Sequence, residues 1–243
     1  MADSNGADRL LCAIDTVDLD SAVAIATSLG NIVGGAKLGL EFFTANGPEG
    51  VARVAECGLP IFLDLKYYDI PNTVAGAIRG AAGLGPFMLT VHVSGGPAML
   101  RAAMAASFRL ASQNGGRRPL VIGVTVLTSF DEDDVEAVGM RPPLADQVRR
   151  LAALAQASGL DGVVCSAHEI ADLRAEFGDE LKLVVPGIRP AWSAADDQKR
   201  IVTPAEALRR GADYLVVGRP IVRADDPPAA ARRIVDEMAG AAA

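Results

Sequence analysis

The chain has 243 residues, half of them hydrophobic but only 5% aromatic, so its core has to be built from Ala, Val, Leu and Ile. Its net charge of −7 excludes an extended nucleic-acid face, which needs a basic patch, but leaves room for a local basic pocket around one phosphate. No apolar run reaches the roughly 20 residues of a membrane helix. MADSNGADRL has neither the basic nor the apolar region of a signal peptide. Cys12, Cys57 and Cys165 are scattered without CxxC spacing and read as reduced packing thiols of a cytoplasmic protein.

Along the chain, short apolar runs alternate with Ala-rich helical stretches. The strand candidates are LLCAID (10–15), GAKLGL (35–40), IFLDLK (61–66), MLTVHV (88–93), LVIGVTVL (120–127), GVVCS (162–166), LKLVVPG (181–187) and YLVVGR (214–219). Helix-like stretches lie between them, and several end in Gly, the residue that most easily closes a helix. Eight near-continuous apolar strands separated by helices describe a parallel sheet covered by helices. A (β/α)8 TIM barrel fits both the count and the length. The rival doubly wound sheet lacks a GxGxxG after the first strand. No linker or composition shift divides the chain, so residues 1–243 are expected to form a single α/β barrel domain, with 1–8 a flexible N-terminus. The longest connection, TSFDEDDVEAVGMRPP after strand 5, is acidic and has room for a short helix.

In such a barrel, function sits at the C-terminal ends of the strands. Asp15 ends strand 1, Lys37 lies in strand 2, Asp64 and Lys66 end strand 3, and Asp69 follows in the loop. Positions two apart on a strand share a face, about 7 Å apart at Cα. Phe62, Asp64 and Lys66 should therefore point into the barrel mouth, with Ile61, Leu63 and Leu65 towards helices. A buried charge is costly alone, and alternating signs in Lys37, Asp64, Lys66 and Asp69 reduce that cost. The bland alternative is a structural ion-pair network between strands 2 and 3. Thr128 and Ser129 follow strand 5. Arg189 and Gln198 lie in the segment after strand 7, and Gly218 and Arg219 end strand 8. A Gly with free backbone N–H groups beside an Arg suits a phosphate. His92 reads as a supporting or core residue and His168 as a surface residue at a helix start. DEDD at 131–134 reads as a solvated helix start, and Trp192 as loop packing.

DLKYYDIPNT closely resembles the signature of the orotidine 5′-monophosphate decarboxylase family, in which D-x-K-x-x-D is followed by I-P-N-T. AID, K-LGLE, VHVSGG, VTVLTS, VVPGIRP, DDQKR and VVGRPI resemble the bacterial form in the family's order, over almost the whole chain. D-x-K-x-x-D is shared with wider relatives; DIPNT with PGIR and DDQ is more specific. Tyr68 departs from the pattern, standing where many relatives have His, at a position that is not catalytic in the family.

The resemblance implies an enzyme that decarboxylates orotidine 5′-monophosphate to uridine 5′-monophosphate, the last step of de novo pyrimidine biosynthesis. It would use no cofactor and no metal. Lys66 would protonate C6 as CO2 leaves, Asp64 would sit beside the substrate carboxylate, and Lys37 would complete the charge relay and touch the ribose. Asp69 and Thr73 would serve the neighbouring subunit's site in a homodimer. Asp15 would bind a ribose hydroxyl, Thr128 would lie near the pyrimidine, and Arg189, Gln198, Gly218 and Arg219 would hold the phosphate. Two alternatives stay open on the sequence. One is an Mg2+-dependent sugar-phosphate enzyme with the same D-x-K-x-x-D core, which EDTA would inactivate. The other is a non-catalytic nucleotide-binding barrel, which an assay with orotidylate would reveal.

Overall fold

The computed structural model describes residues 6–113, 117–193 and 202–240. Eight strands close into a barrel in chain order: β1 (Leu10–Ala13), β2 (Gly35–Gly39), β3 (Ile61–Tyr67), β4 (Met88–His92), β5 (Leu120–Val124), β6 (Gly162–Val164), β7 (Lys182–Pro186) and β8 (Tyr214–Val217). All eight expected strands are present, mostly one to three residues shorter at their C-terminal ends. The helices between and after them are α1 (Leu19–Leu29), α2 (Leu40–Ala55), α3 (Pro71–Gly80), α4 (Gly96–Gln113), α5 (Glu132–Ala137), α6 (Leu144–Ala157), α7 (Ile170–Phe177), α8 (Pro204–Arg209), α9 (Arg219–Val222) and α10 (Pro227–Ala239). Two compact units can be distinguished: Met1–Leu65 with Val185–Ala243, and Lys66–Val184.

In the first unit β1 pairs in parallel with β2 and β8, and β2 with β3. The register sets Ala13 opposite Lys37, Lys37 opposite Phe62 and Gly39 opposite Asp64. The strands are buried almost throughout, as strands of a covered parallel sheet must be. Phe42 and Phe62 are fully buried; most of the core is Ala, Val, Leu and Ile. Helix starts follow from capping residues. Asp18 accepts the Ser21 N–H at 2.6 Å, Thr203 caps α8, and Asp226 accepts the Ala229 N–H at 2.9 Å just before Pro227. Such side chains satisfy N–H groups that the helix leaves without partners. Helix α10 then buries Ala230, Ala231, Ile234, Val235 and Met238, a helical spacing that turns one face inward. Helix α2 is broken at Gly47, where φ is +60° ahead of Pro48. Helical stretches therefore lie on both sides of that break. Ahead of β1, a 3-10 turn at Ala7–Arg9 lets the Arg9 guanidinium donate to the Asp213 and Ala212 carbonyls.

In the second unit β4, β5, β6 and β7 pair in order, and α3 packs on α4. Arg118 makes a two-pronged contact to Asp161 at 2.7 and 2.6 Å, and the Asp161 carboxylate also accepts the Val121 N–H at 2.8 Å. This pair ties the N-terminal ends of β5 and β6 together and raises the Arg118 pKa, chiefly through its hydrogen bond to Asp161. The acidic connection after β5 holds α5, as its length allowed. Asp131 and Asp134 form a reciprocal capping box there, so DEDD is a helix start, and Glu132 accepts the Leu144 N–H at the head of α6.

Candidate active site

The first unit carries a buried charge cluster at the C-terminal ends of its strands. Lys37 comes from within β2 and is 8% exposed. Its Nζ lies 3.0 Å from Asp15 Oδ1, just past β1, and 3.7 Å from Asp64 Oδ2 on β3. Asp64 is 9% exposed, whereas Asp15 is half open to solvent. One ammonium between two carboxylates offsets desolvation that an isolated charge could not bear. Gly39 makes room for it: a Cβ there would lie 2.9 Å from Lys37 Nζ and 3.4 Å from Asp15 Oδ1. Beneath the cluster, burial pushes the Cys12 thiol up to about 12, with Asp15 adding to the rise and Lys37 opposing it. Cys12 therefore stays a neutral packing thiol. Cys165 is also buried and Cys57 half-buried, and none of the three forms a disulfide.

The second unit opens with Lys66. Its φ is +51°, and among the described residues it alone of the non-glycines has positive φ. That region costs a long L side chain on the order of 1–3 kcal/mol, and such strained positions cluster at functional sites. The Lys66 N–H donates to Thr90 Oγ1 at 2.9 Å. Phe62 and Asp64 keep the alternation expected of a strand, but at Lys66 the backbone leaves it. Sequence reasoning passed over Thr90 and Gly39. Thr90 had a signal, one hydroxyl in the middle of the apolar run MLTVHV. Next along β3, burial raises the Tyr67 phenol pKa. Tyr68 is exposed, its ring 5.5 Å from that of half-buried His92. Asp69 turns back on its own chain, accepting the Ile70 N–H at 2.6 Å. Thr73 lies exposed in the first turn of α3, and Thr128 is exposed in the loop after β5.

The remaining expected residues follow β7 and β8. Arg189 is half-buried past β7, and its N–H reaches the Val202 carbonyl at 3.4 Å. Gly218 links β8 to α9, which Arg219 begins, its side chain exposed. Gln198 lies outside the described residues. Trp192 packs under the Arg233 guanidinium, 4.6 Å from its ring centre, in keeping with a loop-packing role. His168 is exposed in the turn before α7. Among the described residues no three His, Cys, Asp or Glu side chains gather in a way that could hold a metal ion, and no helix is long and apolar enough to cross a membrane.

A family model described as "Orotidine 5'-phosphate decarboxylase / HUMPS family" matches residues 8–234. The chain is 55% identical over 226 residues to orotidine 5′-phosphate decarboxylase of Paramagnetospirillum magneticum, covering 93% of this chain and 96% of that protein. It is also 55% identical over 229 residues to the enzyme of the same name from Rhodospirillum rubrum, covering 94% and 93%. Among solved structures it resembles orotidine 5′-phosphate decarboxylase from Lactobacillus acidophilus, with a TM-score of 0.83, 36% identity and coverage of 94% of this chain and 98% of that one. With its barrel, its strand-end charges and a match along nearly its full length, the chain belongs to the orotidine 5′-phosphate decarboxylase / HUMPS family.

Proposed function

We propose that this protein decarboxylates orotidine 5′-monophosphate to uridine 5′-monophosphate in pyrimidine biosynthesis. The observation that carries the reading is the Lys37 ammonium held between Asp15 and Asp64, two positions ahead of Lys66 in a chain of this family. Loss of CO2 from C6 leaves a carbanion with no adjacent sink, so the site has to present positive charge where negative charge develops. Lys66 supplies that charge and delivers the proton to C6. Asp64 steadies Lys66 and crowds the leaving carboxylate. Lys37 stands between Asp64 and the ribose, and Asp15 accepts from a ribose hydroxyl. Thr128 lies beside the pyrimidine. Arg189, Gln198, Gly218 and Arg219 take the phosphate, and the binding energy of that remote group is realised in the transition state.

Asp69 and Thr73 serve the site of a second copy, so the working enzyme is a homodimer with shared sites. Tyr68 and Ile70, which flank Asp69, are 62% and 67% exposed, surface that a second copy would cover. The chemistry calls for no metal or organic cofactor, and the pathway places the protein in the cytoplasm. The whole of residues 1–243 acts as one barrel domain in this reading.

The test is a spectrophotometric assay with orotidylate, in wild type and Lys66→Ala, with and without EDTA. Wild type should turn over with EDTA present. Lys66→Ala should lose more than the roughly 3–4 kcal/mol of one electrostatic stabiliser, because it also loses the acid, while uridylate binding survives. A Lys66→Ala enzyme keeping about a tenth of the wild-type kcat would remove Lys66 from the acid's role.

A further inference from the structure

We propose that Thr90 is a positioning residue for this reaction: its hydroxyl sets the backbone of Lys66 so that the ammonium meets C6. This rests on the reading of Lys66 as the acid. Thr90 is fully buried on β4, a strand whose neighbouring residues Met88, Leu89 and Val91 are apolar and fully buried as well. A hydroxyl in such a place costs burial energy unless it is hydrogen-bonded, and here its Oγ1 accepts the Lys66 N–H at 2.9 Å. Lys66 is also where the chain adopts φ +51°. The two facts belong together. Thr is β-branched and stiff at χ1, so its oxygen is a fixed point within β4. It draws the Lys66 N–H out of the regular extended geometry and holds the unfavourable φ. The direction of the Cα–Cβ bond follows from φ and ψ, and the ammonium hangs from that bond on a long flexible stem. Without the hydroxyl the backbone is free to relax towards ordinary extended angles, and the ammonium would swing off the reacting carbon. Substrate binding, which depends on other residues, would change little.

The experiment compares Thr90→Val, Thr90→Ser and Thr90→Ala with wild type and Lys66→Ala. It records kcat and KM for orotidylate, affinity for uridylate, and Tm. Val keeps the shape without the acceptor; Ser keeps the acceptor without the methyl; Ala keeps neither. Thr90→Val and Thr90→Ala should lose about tenfold to a hundredfold in kcat, the scale of a small misplacement of a reacting group, with KM and uridylate affinity near wild type. Thr90→Ser should recover most of that kcat even where its Tm falls. A residue that only fills space would reverse the order, with Val close to wild type and Ser impaired. Equal kcat in Ser and Ala overturns the proposal, and that pair decides alone where Val fails to fold. A wild-type kcat in Thr90→Ala beside an inactive Lys66→Ala defeats the Thr90 proposal only. An active Lys66→Ala defeats the reading on which it rests.

Discussion

Lys37 shows how tightly one charge can be specified by its neighbours. It is nearly as buried as the core around it, and its two carboxylate partners come from the ends of β1 and β3. Three strands must therefore be in register before the ammonium is compensated. The space it occupies is the space Gly39 leaves empty. Gly39 has ordinary extended backbone angles, φ −102° and ψ −168°, so its value lies in its missing Cβ and not in conformational freedom. In Gly39→Ala the new methyl would meet the flexible end of Lys37 before any backbone atom, and the ammonium would yield. Folding should survive, with a cost within the roughly 1–3 kcal/mol of mild overpacking. If Lys37 acts in the reaction as proposed, turnover should fall by about tenfold or more, since a small displacement of a reacting group is expensive. Steady-state kinetics alongside thermal melting check this. Full activity would mean that the placement of Lys37 is not critical.

At the level of elements, the strands and the site differ in how plainly they could be read from the sequence. Apolar runs bounded by glycines and capping residues marked all eight strands, because burial on both faces leaves an unmistakable composition. The charges Asp15, Lys37 and Asp64 stood out for the opposite reason: nothing but a partner justifies them there. The backbone turn at Lys66 left no such mark. Positive φ is usually announced by Gly or Asn, and here a lysine adopts it while a hydroxyl from the next strand in sequence holds its N–H. Helix α9 also escaped notice, because four residues starting Arg219-Pro220 are too few for a periodic pattern. That short element is where the phosphate reading can be tested. Gly218 precedes it, and a Cβ at Gly218 would press to 3.3 Å on the Ala13 side chain, so the link between β8 and α9 tolerates little bulk. Arg219 itself is exposed, so Arg219→Ala should leave Tm unchanged. It should raise KM for orotidylate by about tenfold or more, matching the roughly 1.5–3 kcal/mol of a charge-assisted hydrogen bond. A fall in kcat as well would show that phosphate binding energy is used in the transition state. Unchanged KM and kcat would place the phosphate elsewhere.

At the scale of the whole molecule, a single chain leaves the carboxylate proposed for the shared site in an exposed setting. Asp69 is solvent-exposed, bonded to the next residue's N–H, and flanked by exposed Tyr68 and Ile70. An isolated acid on an apolar rim does little in its own chain, whereas a second copy seated there would bury the rim and receive the acid. The proposed shared site makes association part of catalysis and not only of stability. It can be tested without knowing the interface. Lys66→Ala and Asp69→Ala chains, each expected to be inactive alone, are mixed and allowed to exchange. In a mixed dimer one site takes its intact Lys66 from one chain and its intact Asp69 from the other, while the second site carries both defects. Random pairing of two equal pools makes about half the dimers mixed, so roughly a quarter of wild-type activity per site should return in a twofold-symmetric assembly. Native mass measurement of the mixture reports whether exchange has occurred. Mixed dimers that form and stay inactive would assign Asp69 to its own chain, and the shared site would have to be abandoned.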